Sequence, residues 1–239
     1  MINNRFIRTE ALIGIEAMKK IKKSTVLIVG LGAVGGYALE AVARSGVGNL
    51  ILVDFDSFDE TNINRQILAL TSTIGRKKTE VAKQRVEQIN PDCIVQVFDM
   101  FIDKNNVNKL LELKPDFVID AIDSIKPKCE LIRALIENKI NFISSMGAAL
   151  KTDTDTIKIA NLNQTENCAM AKSVRQNLKK LGVDLKKVTC VFSNEQCSLP
   201  DTAIKENKNG GKQILGSLPT ITAVFGLMMA NYVIKKLTE

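Results

Sequence analysis

Short apolar runs alternate with amphipathic stretches along the first 146 residues. Val26-Leu27-Ile28-Val29, Leu50 to Val53, Phe117-Val118-Ile119 and the run from Asn141 to Ser145 carry few polar interruptions. That is how strands buried on both faces read. Between them the spacing turns helical at 33–45, 77–90, 105–113 and 126–138, with a further strand at Cys93 to Phe98. Pro91 stops the second of these helices and Pro127 suits the first turn of the fourth. Repeated strand–helix units predict an α/β fold: a Rossmann-like, doubly wound, mainly parallel sheet. After Gly147 the style changes. Thr156 to Leu162 alternates like an antiparallel strand, 168–181 reads as a helix, 188–193 as a strand and 218–237 as a final helix. Residues 198–213, with Pro200 and Asn207-Lys208-Asn209-Gly210-Gly211-Lys212, read as a mobile loop. No linker separates the parts, so 1–239 is expected to be one domain, with residues 1–150 as its nucleotide-binding part and 151–239 as a substrate-side extension.

Composition narrows the chemistry. Hydrophobic residues make up 45% and charged residues 25% of the 239 positions, an ordinary globular profile. Aromatics are only 5% and Trp is absent, which disfavours recognition of nucleic acid on a stacking platform. Thirty-three Lys and Arg against 26 Asp and Glu leave a charge of +7, compatible with a polyanionic partner. There is no His, which excludes Ser–His and Cys–His pairs and any His-ligated metal. Five scattered cysteines without a Cys-x-x-Cys, and a start lacking the apolar core of a signal peptide, predict a reducing cytoplasm. Ile214 to Ile234 is apolar and about as long as a bilayer span. Pro219, Thr220, Thr222 and Asn231 interrupt it, so a buried helix is the preferred reading, with membrane association as the alternative.

The strand at 26–29 closes on Gly30-Leu31-Gly32-Ala33-Val34-Gly35, a turn that opens a helix. Gly30, Gly32 and Gly35 divide three tasks: a tight turn, close approach of phosphate to bare backbone, and helix-on-strand packing. Asp54, at the end of the next strand, is placed to accept hydrogen bonds from ribose hydroxyls. On these residues alone, NAD, FAD and ATP remain open. Asn62, Arg65 and Lys78 favour a triphosphate: Arg65 can hold outer phosphates bidentately, and Lys78 can neutralise charge developing on a leaving group. Asp123, after the strand at 117–120, falls where open sheets bind ligands, and is also a candidate helix N-cap.

The series Gly30-Leu-Gly-Ala-Val-Gly35, Asp54-Phe-Asp56, Asn62-Ile-Asn-Arg-Gln66, Gly75-Arg-Lys-Lys78 and Asp120-Ala-Ile-Asp123 resembles the adenylating enzymes of the ubiquitin-activating superfamily. The resemblance implies that Asp54, Asn62, Arg65 and Lys78 bind ATP and that Asp123 sits by the phosphates and Mg²⁺. It implies a homodimer in which Arg8 reaches the neighbouring subunit's ATP. Ser145-Met-Gly-Ala, Val191-Phe-Ser-Asn-Glu195 and Leu215-Gly-Ser-Leu-Pro219 resemble one branch, the tRNA threonylcarbamoyladenosine dehydratases, which close a threonylcarbamoyl group into a ring through an adenylated carboxylate. A tRNA partner is then implied, and Lys172, Arg175, Lys179, Lys180, Lys186 and Lys187 form a basic segment that could follow its backbone. The alternative within the superfamily is adenylation of the C-terminal Gly of a ubiquitin-like sulfur carrier, against which the missing Cys-x-x-Cys pairs count. A cysteine-desulfurase or sulfur-acceptor system is the corresponding partner class, with Cys168, Cys190 and Cys197 as candidate thiols.

Overall fold

The computed structural model describes residues 4–196 and 215–239. Cys197 and the loop expected at 198–213 lie outside the described residues. Seven strands form one sheet: β1 (Thr25–Val29), β2 (Asn49–Asp54), β3 (Ile94–Asp99), β4 (Phe117–Asp120), β5 (Phe142–Ser145), β6 (Ile157–Asn161) and β7 (Thr189–Ser193). Their order is β3-β2-β1-β4-β5-β7-β6. All pairings are parallel except β6 with β7. The helices are α1 (Ile7–Ile13), α2 (Ile15–Lys23), α3 (Gly35–Arg44), α4 (Lys78–Ile89), α5 (Val107–Leu111), α6 (Ile125–Glu137), α7 (Ala169–Lys180) and α8 (Pro219–Thr238).

Alternation along the strands feeds two cores. Val26, Ile28, Leu50, Leu52 and Ile119 face one side, under α2, α3, α4 and α8. Leu27, Val29, Ile51, Val53 and Val118 face the other, under α5, α6 and α7. Both faces of the central strands are therefore apolar, which is why they read as continuous runs rather than as alternation.

Two helices precede β1, where no helix is expected from the sequence. Met18 and Ile21, on one face of α2, are buried, and Gly14, at φ +86°, separates α1 from α2. At the other end, α8 buries Ile221, Phe225, Gly226, Met229, Ala230 and Val233 against the sheet and α3. No helix among the described residues is long and apolar enough to cross a membrane.

Strand order reverses between β1 and β4, which both leave the sheet at the same edge. Chains leaving β1 and β4 there turn to opposite sides and leave a crevice beyond their carboxyl ends.

Candidate nucleotide site and its acyl-side extension

A cavity of about 520 Å³ fills that crevice, within the usual range for small-molecule sites. Gly30, Gly32, Asp54, Arg65, Lys78 and Asp123 all line it. Gly30 adopts φ +91°, and a Cβ there would lie 2.7 Å from the carbonyl oxygen of Ala121. At Gly35 a Cβ would stand 1.8 Å from the Gly30 oxygen, so that glycine serves helix packing and does not line the cavity. Gly32 meets no backbone within 4 Å, and its bare main chain borders the cavity. The three tasks expected of the turn thus fall on three different residues.

Asp54 ties the turn to β2. Its two carboxylate oxygens accept the amides of Leu31 (2.6 Å) and Asp56 (2.9 Å). Burial pushes its carboxyl above the ordinary 3.8, against the opposing pull of Lys78 and the two amides. Each oxygen retains a lone pair for a further donor such as a ribose hydroxyl. Phe55 and Phe101 pack edge to face at 5.1 Å beside it and give this end of the cavity an apolar wall suited to a base.

Lys78 opens α4 and is buried. Its Nζ pairs with Asp56 Oδ2 at 3.0 Å and lies 6.0 Å from the centre of the Phe58 ring. The backbone fixes this approach. Phe58 N donates to Arg76 O, Gly75 N to Phe58 O and Lys78 N to Asp56 O, with Gly75 at φ +80° making the turn. Arg65 rests its Nη1 on Thr61 O and Asn64 Oδ1, both at 2.8 Å. Asp123 is exposed at the rim, where its Oδ1 accepts Ser124 Oγ at 3.2 Å. Ser124, not Asp123, occupies the N-cap position of α6.

Two expected residues stand apart. Asn62 does not line the cavity; its Oδ1 accepts the Asp59 amide at 3.3 Å in a capping box at the start of a short turn, Glu60–Asn62. Arg8 is exposed on α1, away from the cavity wall. Arg175 is committed to the carbonyl and hydroxyl oxygens of Thr165. Lys172, Lys179, Lys180, Lys186 and Lys187 remain exposed along α7 and the turn after it.

Among the thiols, Cys190 is fully buried and burial pushes it up to about 12, which removes it as a nucleophile. Cys168 lines the cavity at the N-cap of α7, with its Sγ accepting the Ala171 amide at 3.4 Å.

Several further groups at the site carry no signal of their role in the sequence. Gln66, 7% exposed, lines the cavity beside Gly32, and its Oε1 has no partner among the described residues. Behind the wall, Lys128 and Asp120 pair at 2.7 Å with no exposure, and Ser144 Oγ donates to the same carboxylate at 2.6 Å. Asp120 Oδ1 accepts the Ile122 amide at 3.1 Å, which braces the 121–123 turn. Lys151, 2% exposed, lines the far end of the cavity. The parallel register of β4 with β5 foreshadows one of these contacts, since it sets Asp120 beside Ser144. A lysine's burial leaves no mark in sequence.

The ThiF family model matches residues 4–239. A tRNA threonylcarbamoyladenosine dehydratase of Bacillus subtilis is 39% identical over 99% of this chain and 95% of its own length. Crystal structures of the Escherichia coli tRNA N6-threonylcarbamoyladenosine dehydratase, in complex with AMP and with ATP, superpose with TM-scores of 0.90 and 0.89. They are 36% identical to this chain, covering 98% of it and 93% of theirs. A molybdopterin-synthase adenylyltransferase of Haemophilus influenzae is 32% identical over 85% of this chain and 82% of its own.

Proposed function

The chain belongs to the ThiF family, and from that premise we propose that it catalyses the ATP-dependent dehydration of N6-threonylcarbamoyladenosine at position 37 of tRNA. The observation that carries this reading is the cavity itself, which gathers the glycine turn, Asp54, Arg65, Lys78 and Asp123 around one space at the switch in strand order.

On this reading the triphosphate lies along the 30–34 turn, the ribose meets Asp54 and the base lies against Phe55 and Phe101. The substrate carboxylate attacks the α-phosphorus, giving a mixed anhydride and pyrophosphate. Arg65 and Lys78 take up the charge that builds on the departing pyrophosphate. The carbamoyl oxygen of the same substrate then attacks the acyl carbon, its nitrogen loses a proton and AMP leaves. The ring has lost the elements of one water, and no protein nucleophile is needed. The buried Cys190 suits such a scheme.

Mg²⁺ fits the donor set. No cluster of three acidic or thiol ligands is present among the described residues, but Mg²⁺ is usually held by one or two carboxylates together with phosphates. Asp123 supplies such a carboxylate at the rim, and the ion would add charge neutralisation there.

The exposed lysines of α7 begin beside the cavity and run away from it, a path suited to an RNA backbone. Exposed Leu12 and Ile15, near Arg8, suit contact with a second copy; in that homodimer Arg8 and Asn62 reach nucleotide only after assembly or loop adjustment. A cytoplasmic location accords with ATP and tRNA as substrates. Adenylation of a sulfur carrier is the weaker reading, given the lower identity to the adenylyltransferase and the absence of paired cysteines.

The test is mass spectrometry of threonylcarbamoyl-modified tRNA after incubation with the protein and ATP. Loss of one water from the modified nucleoside is expected; an unchanged mass rejects the reading.

A further inference from the structure

Beyond the phosphate wall the cavity continues into a second lobe formed by Ser145–Lys151, Cys168–Met170, Leu215 and Ser217. Lys151 is the charged side chain of that lobe. Its Nζ donates to the carbonyl oxygens of Asn167, at 3.0 Å, and Glu195. Those bonds use two of the three ammonium hydrogens. The Glu195 carboxylate makes no direct ion pair with Lys151; the Thr152 amide chiefly, and the Lys151 charge more weakly, lower its pKa. Its carboxylate accepts the amides of Thr152 (2.9 Å) and Asp153 (3.1 Å) and the Thr152 hydroxyl (2.9 Å).

Three lysines are buried among the described residues: Lys78, Lys128 and Lys151. Lys78 pairs with Asp56 and Lys128 with Asp120. Lys151 alone of the three has no carboxylate within ion-pair distance among the described residues. A buried cation is costly unless an anion completes its surroundings. Lys151 lines the cavity, and the first turn of α7, where Cys168 Sγ already accepts the Ala171 amide, borders the same space.

We propose that Lys151 binds the carboxylate of the acyl substrate and holds it for attack on the nucleotide, making this lobe a carboxylate subsite. This rests on the reading of the cavity as an adenylation site. A charged ammonium pairs with a carboxylate and gains far less from an ester, so the subsite selects free acids.

The test separates binding from turnover. An anticodon stem-loop RNA carrying N6-threonylcarbamoyladenosine, or its methyl ester, is titrated into the full chain with AMP present. Wild type should bind the acid about tenfold more tightly than the ester, the equivalent of one charge-assisted hydrogen bond. In Lys151→Met the ratio should fall to about one, with affinity for AMP and for the ester kept, and Lys151→Arg should restore most of it. A wild type without acid preference overturns the proposal, as does a Lys151→Met variant that keeps it. Equal loss of AMP, ester and acid binding overturns it too, because that is the signature of a clamp joining residues 151, 167 and 195. The ratio needs no turnover. A wild type that selects the acid but leaves modified tRNA unchanged with ATP would therefore reject the reaction and retain the subsite.

Discussion

The two ends of the cavity hold their buried lysines in opposite circumstances. At the nucleotide end Lys78 is already paired with Asp56 across 3.0 Å. At the acyl end Lys151 hydrogen-bonds to two carbonyl oxygens and has no carboxylate within ion-pair distance among the described residues. The first arrangement is stable without ligand and must rearrange or share when phosphate arrives. The second leaves one ammonium hydrogen for an entering anion. Glycines repeat the contrast. Gly35 admits no Cβ, which would meet the Gly30 oxygen at 1.8 Å, whereas a Cβ on Gly147 would lie 3.3 Å from Met170 Cβ and 3.5 Å from Cys168 Sγ. The nucleotide end is built around backbone in direct contact; at the acyl end the nearest atoms belong to side chains and lie at tighter-than-usual but passable distances. Phosphate chemistry needs one fixed geometry, and substrate recognition tolerates some give.

The largest expected effect is that of Lys78→Ala. Removing a cation that stabilises the departing pyrophosphate should lower single-turnover adenylation about 10²–10³-fold, with nucleotide binding partly kept. Unchanged turnover would remove Lys78 from the chemistry. Next is the pair of glycine variants. Gly35→Ala should cost roughly 1–3 kcal/mol or more in a urea unfolding series, and Gly147→Ala less, about 1 kcal/mol, since Met170 Cβ at 3.3 Å has to give slightly. Similar costs at both positions would erase the contrast between the two ends.

Asp56→Asn tests the pairing at the nucleotide end. Asp56 is about half exposed, so solvent screening limits the loss in the nucleotide-free protein to about 1 kcal/mol. Saturating ATP should stabilise this variant more than wild type, because phosphate replaces the missing charge. Equal stabilisation of the two proteins by ATP would refute that account.

The smallest effect is on pH dependence. Burial raises the Asp54 carboxyl above 3.8, so the folded chain takes up this proton at a higher pH than the unfolded chain does. The group therefore favours the fold most below 3.8 and progressively less as pH rises through its raised value. Ribose recognition has the opposite sign, since it uses the ionised form. AMP affinity, followed by calorimetry, should weaken on acidification at a pH above the ordinary Asp range, and Asp54→Asn should flatten that limb. A limb that persists in the variant assigns it to another group.

Much of this was legible in sequence because it is written in backbone terms. Buried strands such as Val26–Val29 show as apolar runs, and a turn that requires glycine shows as glycine. The wall residues Asp54, Arg65, Lys78 and Asp123 fall at fixed offsets from those strands. The missed features depend on what lies across the fold. Lys128 and Lys151 look like any other lysine among 33 basic residues, and their burial follows only once β4, β5 and α6 are packed. Asn62 was expected at the phosphates for its chemical type, but Asp59 three residues earlier gives its side chain a nearer local partner. The pair Phe55 and Phe101 leaves no sequence signal because the two rings come from separate strand ends.

The C-terminal helix has a consequence for how this protein is made. A Cβ on Gly226 would lie 2.4 Å from Val34 O and 2.9 Å from Ala38 N, so α8 rests directly on the first turn of α3. The phosphate turn therefore gains its backing from a segment synthesised long after it. During translation the first five strands can emerge and pair, but the face of α3 that meets α8 has no cover until α8 leaves the ribosome. A nascent chain halted before residue 219 should remain open to proteolysis at α3 and fail to retain AMP, although every residue of the glycine turn is already present.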